Sequence, residues 1–347
     1  MRKYLLLLFI SIISIAGFSQ DFSNKGKDFW VGYGNHVRMF NAGTAETMQI
    51  YLTSDVSTTG NVSITSIGFT QNFTVTANQI TVINIPRTAA LLDEGLYNHG
   101  IHITALKPVV AYGFIYVNAI SGATVFLPTN TLGKDYFTLN YTQVSNEPNT
   151  YSYFFVEAVE TGTTVIEITP SQNTKGGWPA RVTQTINLSQ GQIYQVLSTS
   201  DLTGSIIKSV ASGGSGCKKI AVFCGSGKIS IGCASPGSSD NLYQQMYPAS
   251  TWGKKYVLIS SNNRPNTNNP PVINTNFFRV YRPDPTTIVN LNGIPIPAAS
   301  FVNDYYQFSS NQTNLVNADK PILVAQYFST AGCSGRSEER RVGKECA

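Results

Sequence analysis

Two short markers recur in the same order along this chain, and a chain that repeats itself at such a spacing has few architectures open to it. The first is Gly-Lys followed by a polar residue and aromatics. It occurs as Gly26-Lys27-Asp28-Phe29-Trp30, as Gly133-Lys134-Asp135-Tyr136-Phe137 and, most loosely, as Gly253-Lys254-Lys255-Tyr256-Val257, spaced by 107 and 120 residues. The second is Lys107-Pro108-Val109-Val110-Ala111-Tyr112, Lys218-Lys219-Ile220-Ala221-Val222-Phe223 and Lys320-Pro321-Ile322-Leu323-Val324-Ala325, spaced by 111 and 102. The lead-ins Pro128 to Lys134 and Pro248 to Lys254 also agree at Pro, Thr, Gly and Lys. Two independent markers in register define three copies of one module.

The order of segments inside each copy is constant too. After Gly-Lys come a second strand (Met48 to Thr53, Tyr153 to Val159, Phe277 to Tyr281) and a third (Asn61 to Ser66, Thr164 to Thr169, Thr287 to Leu291). A fourth region follows (Phe73 to Ile85, Gln184 to Leu197, Tyr305 to Val316), and the Lys-Pro strand closes the copy. Alternation such as Ile166-Glu167-Ile168 puts apolar groups on one face of a strand, and Gly, Asn, Pro and Ser clusters bound each segment. Copies of about 110 residues with six or seven short strands have the size of one antiparallel sandwich. The expected fold is all-β: three tandem antiparallel β-sandwich-like repeats, tightly packed, at 20–132, 133–252 and 253–335. The alternative is that the copies share one core, as in a propeller or solenoid. No flexible linker separates them, and the Lys of Gly-Lys reads as a side chain snorkelling at a strand edge.

The two ends stand apart. Arg2 and Lys3, the apolar run Tyr4 to Ala16, then Gly17, Ser19 and Gln20-Asp21 have the layout of a secretory signal peptide at 1–19, cleaved after Ser19. Arg336 to Cys346 has a density of charge found nowhere else in the chain and resembles the conceptual translation of a sequencing-adapter oligonucleotide. Residues 336–347 are therefore set aside as an artefact, the third copy reads as truncated at Gly335, and downstream domains are expected beyond it. Without both ends the formal charge falls from +5 to about +2, which gives no electrostatic case for nucleic acid. No other run is apolar enough to span a membrane. Only 12% of residues are charged, about half the usual share, as suits an exported β protein. In an oxidising compartment Cys217, Cys224, Cys233 and Cys333 read as disulfide formers, with the pairing open among three connectivities.

No catalytic set emerges. His99 and His102 could face a metal, but positions i and i+3 of a strand point to opposite faces; His36 is the one other histidine, and no metal or cofactor is expected. Gly213-Gly214-Ser215-Gly216-Cys217-Lys218 lacks the Gly-Lys-Ser/Thr and the helix of a phosphate loop. Gly225-Ser226-Gly227-Lys228 reads as a hairpin turn between two apolar strands. The acids Glu157, Glu160, Asp93 and Glu94 read as edge or turn residues rather than a glycosidase pair. Binding is better supplied: Tyr33, Tyr97, Trp178, Tyr243, Tyr247 and Trp252 lie in exposed-looking contexts, although most are expected to pack. The Asn-rich stretch Ser261 to Asn276, with Pro265, Pro270 and Pro271, is the longest irregular segment and a candidate binding loop. The ligand-binding residues themselves stay unassigned.

The Gly-Lys-Asp-Phe-Trp opening, the Lys-Pro-Val-Val-Ala-Tyr strand and Ser238-Ser239-Asp240-Asn241-Leu242-Tyr243-Gln244-Gln245-Met246-Tyr247-Pro248 together resemble the IgGFc-binding protein N-terminal domain family across roughly Gln20 to Gly335. The resemblance implies a non-catalytic, secreted or cell-surface member of Bacteroidetes-like origin, an adhesion module that recognises extracellular protein or glycan. It carries no catalytic signature, and immunoglobulin binding is not transferred with it. The alternatives are an ancillary part of a larger secreted glycan-degrading enzyme, or a structural stalk.

Overall fold

Strands in this chain form because apolar residues alternate, and they stack because too many of them are apolar on both faces. The computed structural model describes residues 23–40, 47–117, 120–211, 216–232, 239–261 and 273–330. Residues 1–22, which include the expected signal peptide, residues 331–347, which include Cys333 and the charged tail, Cys233 and residues 262–272 of the Asn-rich loop lie outside these. The first copy supplies β1 (Lys25–Val31), β2 (Thr47–Thr53), β3 (Thr58–Ile64), β4 (Phe69–Val75), β5 (Ile80–Ile85), β6 (Gly95–Tyr97), β7 (Ile101–Val117) and β8 (Ile120–Phe126). The second supplies β9 (Asp135–Phe137), β10 (Ser152–Ala158), β11 (Thr163–Thr169), β12 (Gln184–Ser189), β13 (Ile193–Ser198), β14 (Ile206–Val210), β15 (Ile220–Ile229) and β16 (Asp240–Gln245). The third supplies β17 (Lys255–Leu258), β18 (Asn276–Tyr281), β19 (Val289–Leu291), β20 (Ile294–Pro295), β21 (Tyr305–Ser310), β22 (Asn314–Ala318) and β23 (Leu323–Tyr327). All the strand pairings are antiparallel, and the all-β expectation holds.

The three copies have one topology. In the second, β12-β11-β14-β9 form one sheet and β16-β15-β10-β13-β6 the other. In the third, β20-β19-β22-β17 repeats the first of these in full, and β21-β18-β23 repeats the central β13-β10-β15 of the second, without described counterparts of β16 and β6. The first copy differs in one respect: the counterparts of β14 and β15 are fused into the single 17-residue β7. Residues 101–105 of β7 pair with β1 and β3, β1 continues past a register shift to Val109 and Val110, and Val110 to Val117 pair with β2 and β8. Leu106, Lys107 and Pro108 lie exposed at the corner between, where a strand passing from one sheet to the other has no continuous ladder for the missing proline N–H to interrupt.

Burial explains the stacking. In β2, Met48, Ile50 and Leu52 are buried and their neighbours are not, the ordinary pattern of a half-covered strand. In β10 and β15 every residue is buried. Phe154, Val156, Val222 and Cys224 enter the second copy's own core. Tyr153, Phe155, Phe223 and Tyr243 enter the core of the first copy, among Tyr33, Ile50 and Phe126. The β16-β15-β10-β13-β6 sheet is thus a wall between two cores. The next wall repeats this: Tyr281 and Leu323 pack into the second core, Phe278 and Val280 into the third. The copies are sandwiches, yet neighbouring sandwiches share cores.

The lead-in to each new copy fastens it to the one before. Pro128 and Pro248 each open a short 3-10 turn, Thr129–Thr131 and Ala249–Thr251. Thr131 and Thr251 donate through Oγ1 to the Pro128 and Pro248 carbonyls, both at 2.8 Å. Pro128 sits on Gly26 of the preceding copy and Pro248 on Gly133; a Cβ added to either glycine would fall 2.1 or 2.4 Å from the proline Cβ. The glycine of Gly-Lys is there because a proline needs the space.

Two local expectations are corrected. Gly225-Ser226-Gly227-Lys228 is not a hairpin turn; it lies inside β15, paired with β16 through a bulge between Ser226 and Ile229. The strand carries glycine because a Cβ at Gly225 would come 1.8 Å from the Leu242 carbonyl oxygen, the close backbone approach that glycine in a strand permits. Cys217 and Cys224 are free thiols rather than disulfide partners. Cys224 is enclosed by the core, its Sγ 3.0 Å from the Met246 sulfur, and burial pushes its thiol up to about 12. Inside the fourth region each copy holds two strands, and the third copy's region is displaced by one strand relative to the others.

A candidate binding face on the first copy

The outer face of the β5-β2-β7-β8 sheet carries a cluster of partly exposed aromatic side chains. Because β7 has apolar residues at nearly every position from Val109 to Val117, it cannot hide both faces: Ala111, Gly113 and Ile115 go inward, while Tyr112, Phe114 and Tyr116 go outward. Register then assembles the face. Tyr112 lies opposite Tyr51 on one side and Val125 on the other; Phe114 lies opposite Gln49 and Ala123. Tyr51 in turn lies opposite Val82, and Gln49 opposite Asn84. Phe114 meets Tyr51 edge-on at 6.1 Å and Tyr116 in parallel at 6.1 Å, the separations at which ring pairs attract. Tyr51 donates its hydroxyl to Gln49 Oε1, and Gln49 Nε2 donates to Asn84 Oδ1, both at 2.8 Å. None of the outward side chains of β5, β2, β8 and residues 109–117 of β7 is charged; the exposed Lys107 lies beyond them at the corner. Tyr112 and Tyr116 are 42% and 44% exposed.

The repeat says what this face is. The Lys-Pro marker aligns Tyr112 with Phe223 and Ala325, and pairing aligns Tyr51 with Phe155 and Arg279. Phe155, Phe223 and Arg279 are each 0% exposed, because this face packs against the preceding copy. Only in the first copy does it look outward.

Most of the aromatics singled out in the sequence are elsewhere. Tyr33, Tyr243 and Trp252 are buried; Tyr33 donates to the Gln49 carbonyl and Tyr243 to the Gly32 carbonyl. Trp178 is half-buried and stacks on Tyr194 at 5.0 Å. Tyr97 donates its hydroxyl to the Asp93 carbonyl, and Tyr247 alone is largely exposed.

Most of the acids are ties, Glu157 being buried without a hydrogen-bond partner. Asp93 takes Lys175, and Glu94 takes the Thr174 hydroxyl and the Leu197 N–H, which joins the first copy to the second. Glu160 accepts from Lys219 N–H. His102 lies 2.7 Å from Asp28 and stacks on Trp30 at 4.2 Å, and the hydrogen bond from His102 holds the Asp28 carboxyl below its ordinary range. His99 precedes β7 and contacts Tyr97 at 5.5 Å. His36 is buried, which lowers it to about 4. Among the described residues no three His, Cys, Asp or Glu side chains converge as a metal site. A shallow hollow of about 550 Å³, lined by Asn61, Asn72, Phe73, Thr74 and Thr104 among others, lies on the other sheet of the first copy.

The segment Ser239 to Pro248 proves to be a seam. Asp240 Oδ1 accepts the Ser121 N–H, Asn241 Nδ2 donates to the Ser226 carbonyl, and Gln245 Oε1 accepts the Leu127 N–H. These contacts stitch β16 to both β15 and the end of the first copy. Comparison with protein families matches residues 122–342 to the family described as IgGFc binding protein. The chain belongs to that family. No curated protein and no solved structure matches significantly. The match to the IgGFc-binding family takes in β8, the seam and the second and third copies. Gly26 to Trp30 and Lys107 to Tyr112 lie before it, as does most of the aromatic face. No described helix is long and apolar enough to cross a membrane.

Proposed function

We propose that this chain is a non-catalytic extracellular binding protein that holds a protein partner on the Tyr51-Tyr112-Phe114-Tyr116 face. The carrying observation is the uncovered position of that face, whose counterparts in the second and third copies are both closed by protein. A flat, uncharged surface of tyrosine, phenylalanine and amides suits a protein contact, where Tyr is enriched at hot spots. It suits an enclosed small molecule poorly, since such ligands take concave sites. Membership of the IgGFc-binding family supports a protein as the ligand, and the leader-like N-terminus supports export.

The test uses the purified chain on surfaces of immunoglobulin Fc, mucin protein and free glycans, each measured by surface plasmon resonance. Tyr112→Ala with Tyr116→Ala is expected to weaken the protein contact by about 2 kcal/mol or more, roughly 30-fold, with an unchanged melting temperature because both rings face water. Binding of glycans alone, or protein binding indifferent to both substitutions, overturns the reading.

A further inference from the structure

We propose that the Gly253 end of the third copy is a docking seat for a Pro-Xaa-Xaa-Thr turn presented by a further β-module of the same repeat. The argument comes from two occupied seats. Pro128 covers Gly26 and Pro248 covers Gly133. Beside Gly133, the Tyr136 hydroxyl accepts the Gly133 N–H at 2.9 Å and donates to the Ile220 carbonyl at 2.9 Å. Beside Gly253, the Tyr256 hydroxyl accepts the Gly253 N–H at 2.9 Å and donates to the Ile322 carbonyl at 2.7 Å. The seat is built identically in the third copy. What differs is the cover: among the described residues, the atoms nearest a Cβ added at Gly253 are those of the Tyr256 ring and hydroxyl, from 3.4 Å, and no proline sits on it.

The surroundings agree. Tyr136 is fully buried, while its counterpart Tyr256 is partly open. Phe137, the next residue along, packs on Trp252 of the lead-in to the following copy and on Tyr281 within that copy, at 5.5 and 5.6 Å. Its counterpart Val257 is 65% exposed. Leu139 is buried, and its counterpart Ile259 is 64% exposed. These apolar side chains mark an interface shape used twice already within the chain. A second copy of this chain cannot fill the seat with its own lead-ins, because Pro128 and Pro248 are engaged internally. The occupant is therefore a Pro-Xaa-Xaa-Thr turn from another module, with an apolar strand face to cover Val257 and Ile259.

The experiment titrates a peptide of residues 245–255, which contains the Pro248 turn, into the ¹⁵N-labelled full chain. Saturable shifts are expected at Gly253, Val257 and Ile322. Gly253→Ala is expected to weaken binding at least tenfold without lowering the melting temperature, since the methyl fits the empty seat but excludes the proline; a Pro248→Ala peptide is expected to fail likewise. Gly133→Ala, with the proline already in place, is expected to lower the melting temperature. A chain in which residues 230–258 are repeated after Thr330 makes the contact intramolecular, at an effective concentration on the order of millimolar, and is expected to protect the Val257 amide from exchange unless Gly253 is Ala. Absence of Gly253-sensitive effects in both formats overturns the proposal. So does concentration-dependent self-association that covers Val257 and Ile259 while the peptide has no effect, because the face then belongs to a second copy.

Discussion

Arg279→Met is expected to destabilise the chain by about 3–5 kcal/mol, the cost of removing one partner from a buried ion pair. Arg279 is fully buried in β18, on the face turned to the second copy. Its Nη1 lies within 2.8 Å of the Asn140 carbonyl, Asp201 Oδ2 and the Thr203 hydroxyl. Nη2 donates to Thr142 Oγ1 and Nε to Gln307 Oε1. The guanidinium is also held between the Tyr141 and Tyr305 rings, 4.6 and 4.2 Å from their centroids. Five of these groups (Asn140, Tyr141, Thr142, Asp201 and Thr203) belong to the second copy, so the loss falls on the junction between the second and third. Lys cannot replace the planar fork, and Arg279→Lys is expected to recover little. In chemical denaturation Asp201→Asn with Arg279→Met should cost less than the sum of the two single changes. A loss below about 1 kcal/mol for Arg279→Met would show that the cluster is not a fastening.

Glu157→Gln is expected to abolish a fall in stability with rising pH. Glu157 is fully buried in β10, at the position matching Thr53 and Tyr281, and neither carboxylate oxygen has a hydrogen-bond partner. Burial raises its folded-state pKa well above the ordinary carboxylate value. The sign follows: above the unfolded pKa of about 4.3 the folded chain holds a proton that the unfolded chain has released. Stability therefore decreases with pH, by up to about 1.4 kcal/mol per unit, until the folded pKa is passed. His36 acts oppositely. Its pKa is depressed to about 4, so its contribution is present above the unfolded value of about 6.5 and is lost as pH falls toward 4. Comparing wild type with Glu157→Gln at each pH cancels His36, and the advantage of the variant should grow from about pH 4.5 upward. A difference that does not change with pH would refute the buried acid.

The architecture was legible where the copies agree in sequence. Gly-Lys and Lys-Pro fall at the same strands in all three copies because one marks a proline seat and the other a corner or gap between sheets. The strand at residues 206–210 was harder to see, since it is short, carries Lys208 and is fused into β7 in the first copy. The glycines of Gly225 to Lys228 looked like a turn, although they answer to a neighbouring backbone 17 residues away at Leu242. The face proposed for binding gave no clear sequence signal for a related reason. Tyr112, Phe114 and Tyr116 alternate plainly, but residues of the same strand position are core in the second copy, and only the stacking distinguishes an end from a middle. Arg279 gave no local signal at all; Phe277-Phe278-Arg279-Val280-Tyr281 reads as an ordinary strand, and every partner that justifies the charge is remote in sequence.

The wall sheet between the first and second cores fixes the unit in which such a chain can be lengthened, shortened or shuffled. A cut at the sequence boundary before Gly133 would not yield two domains. It would leave one fragment with an open core and another with Tyr153, Phe155, Phe223 and Tyr243 in water, rings that bury some 150–250 Å² apiece when covered. Recombination that preserves solubility must therefore move a copy together with the neighbouring sheet that closes it, so that new length is gained by intercalation rather than by adding beads to a string.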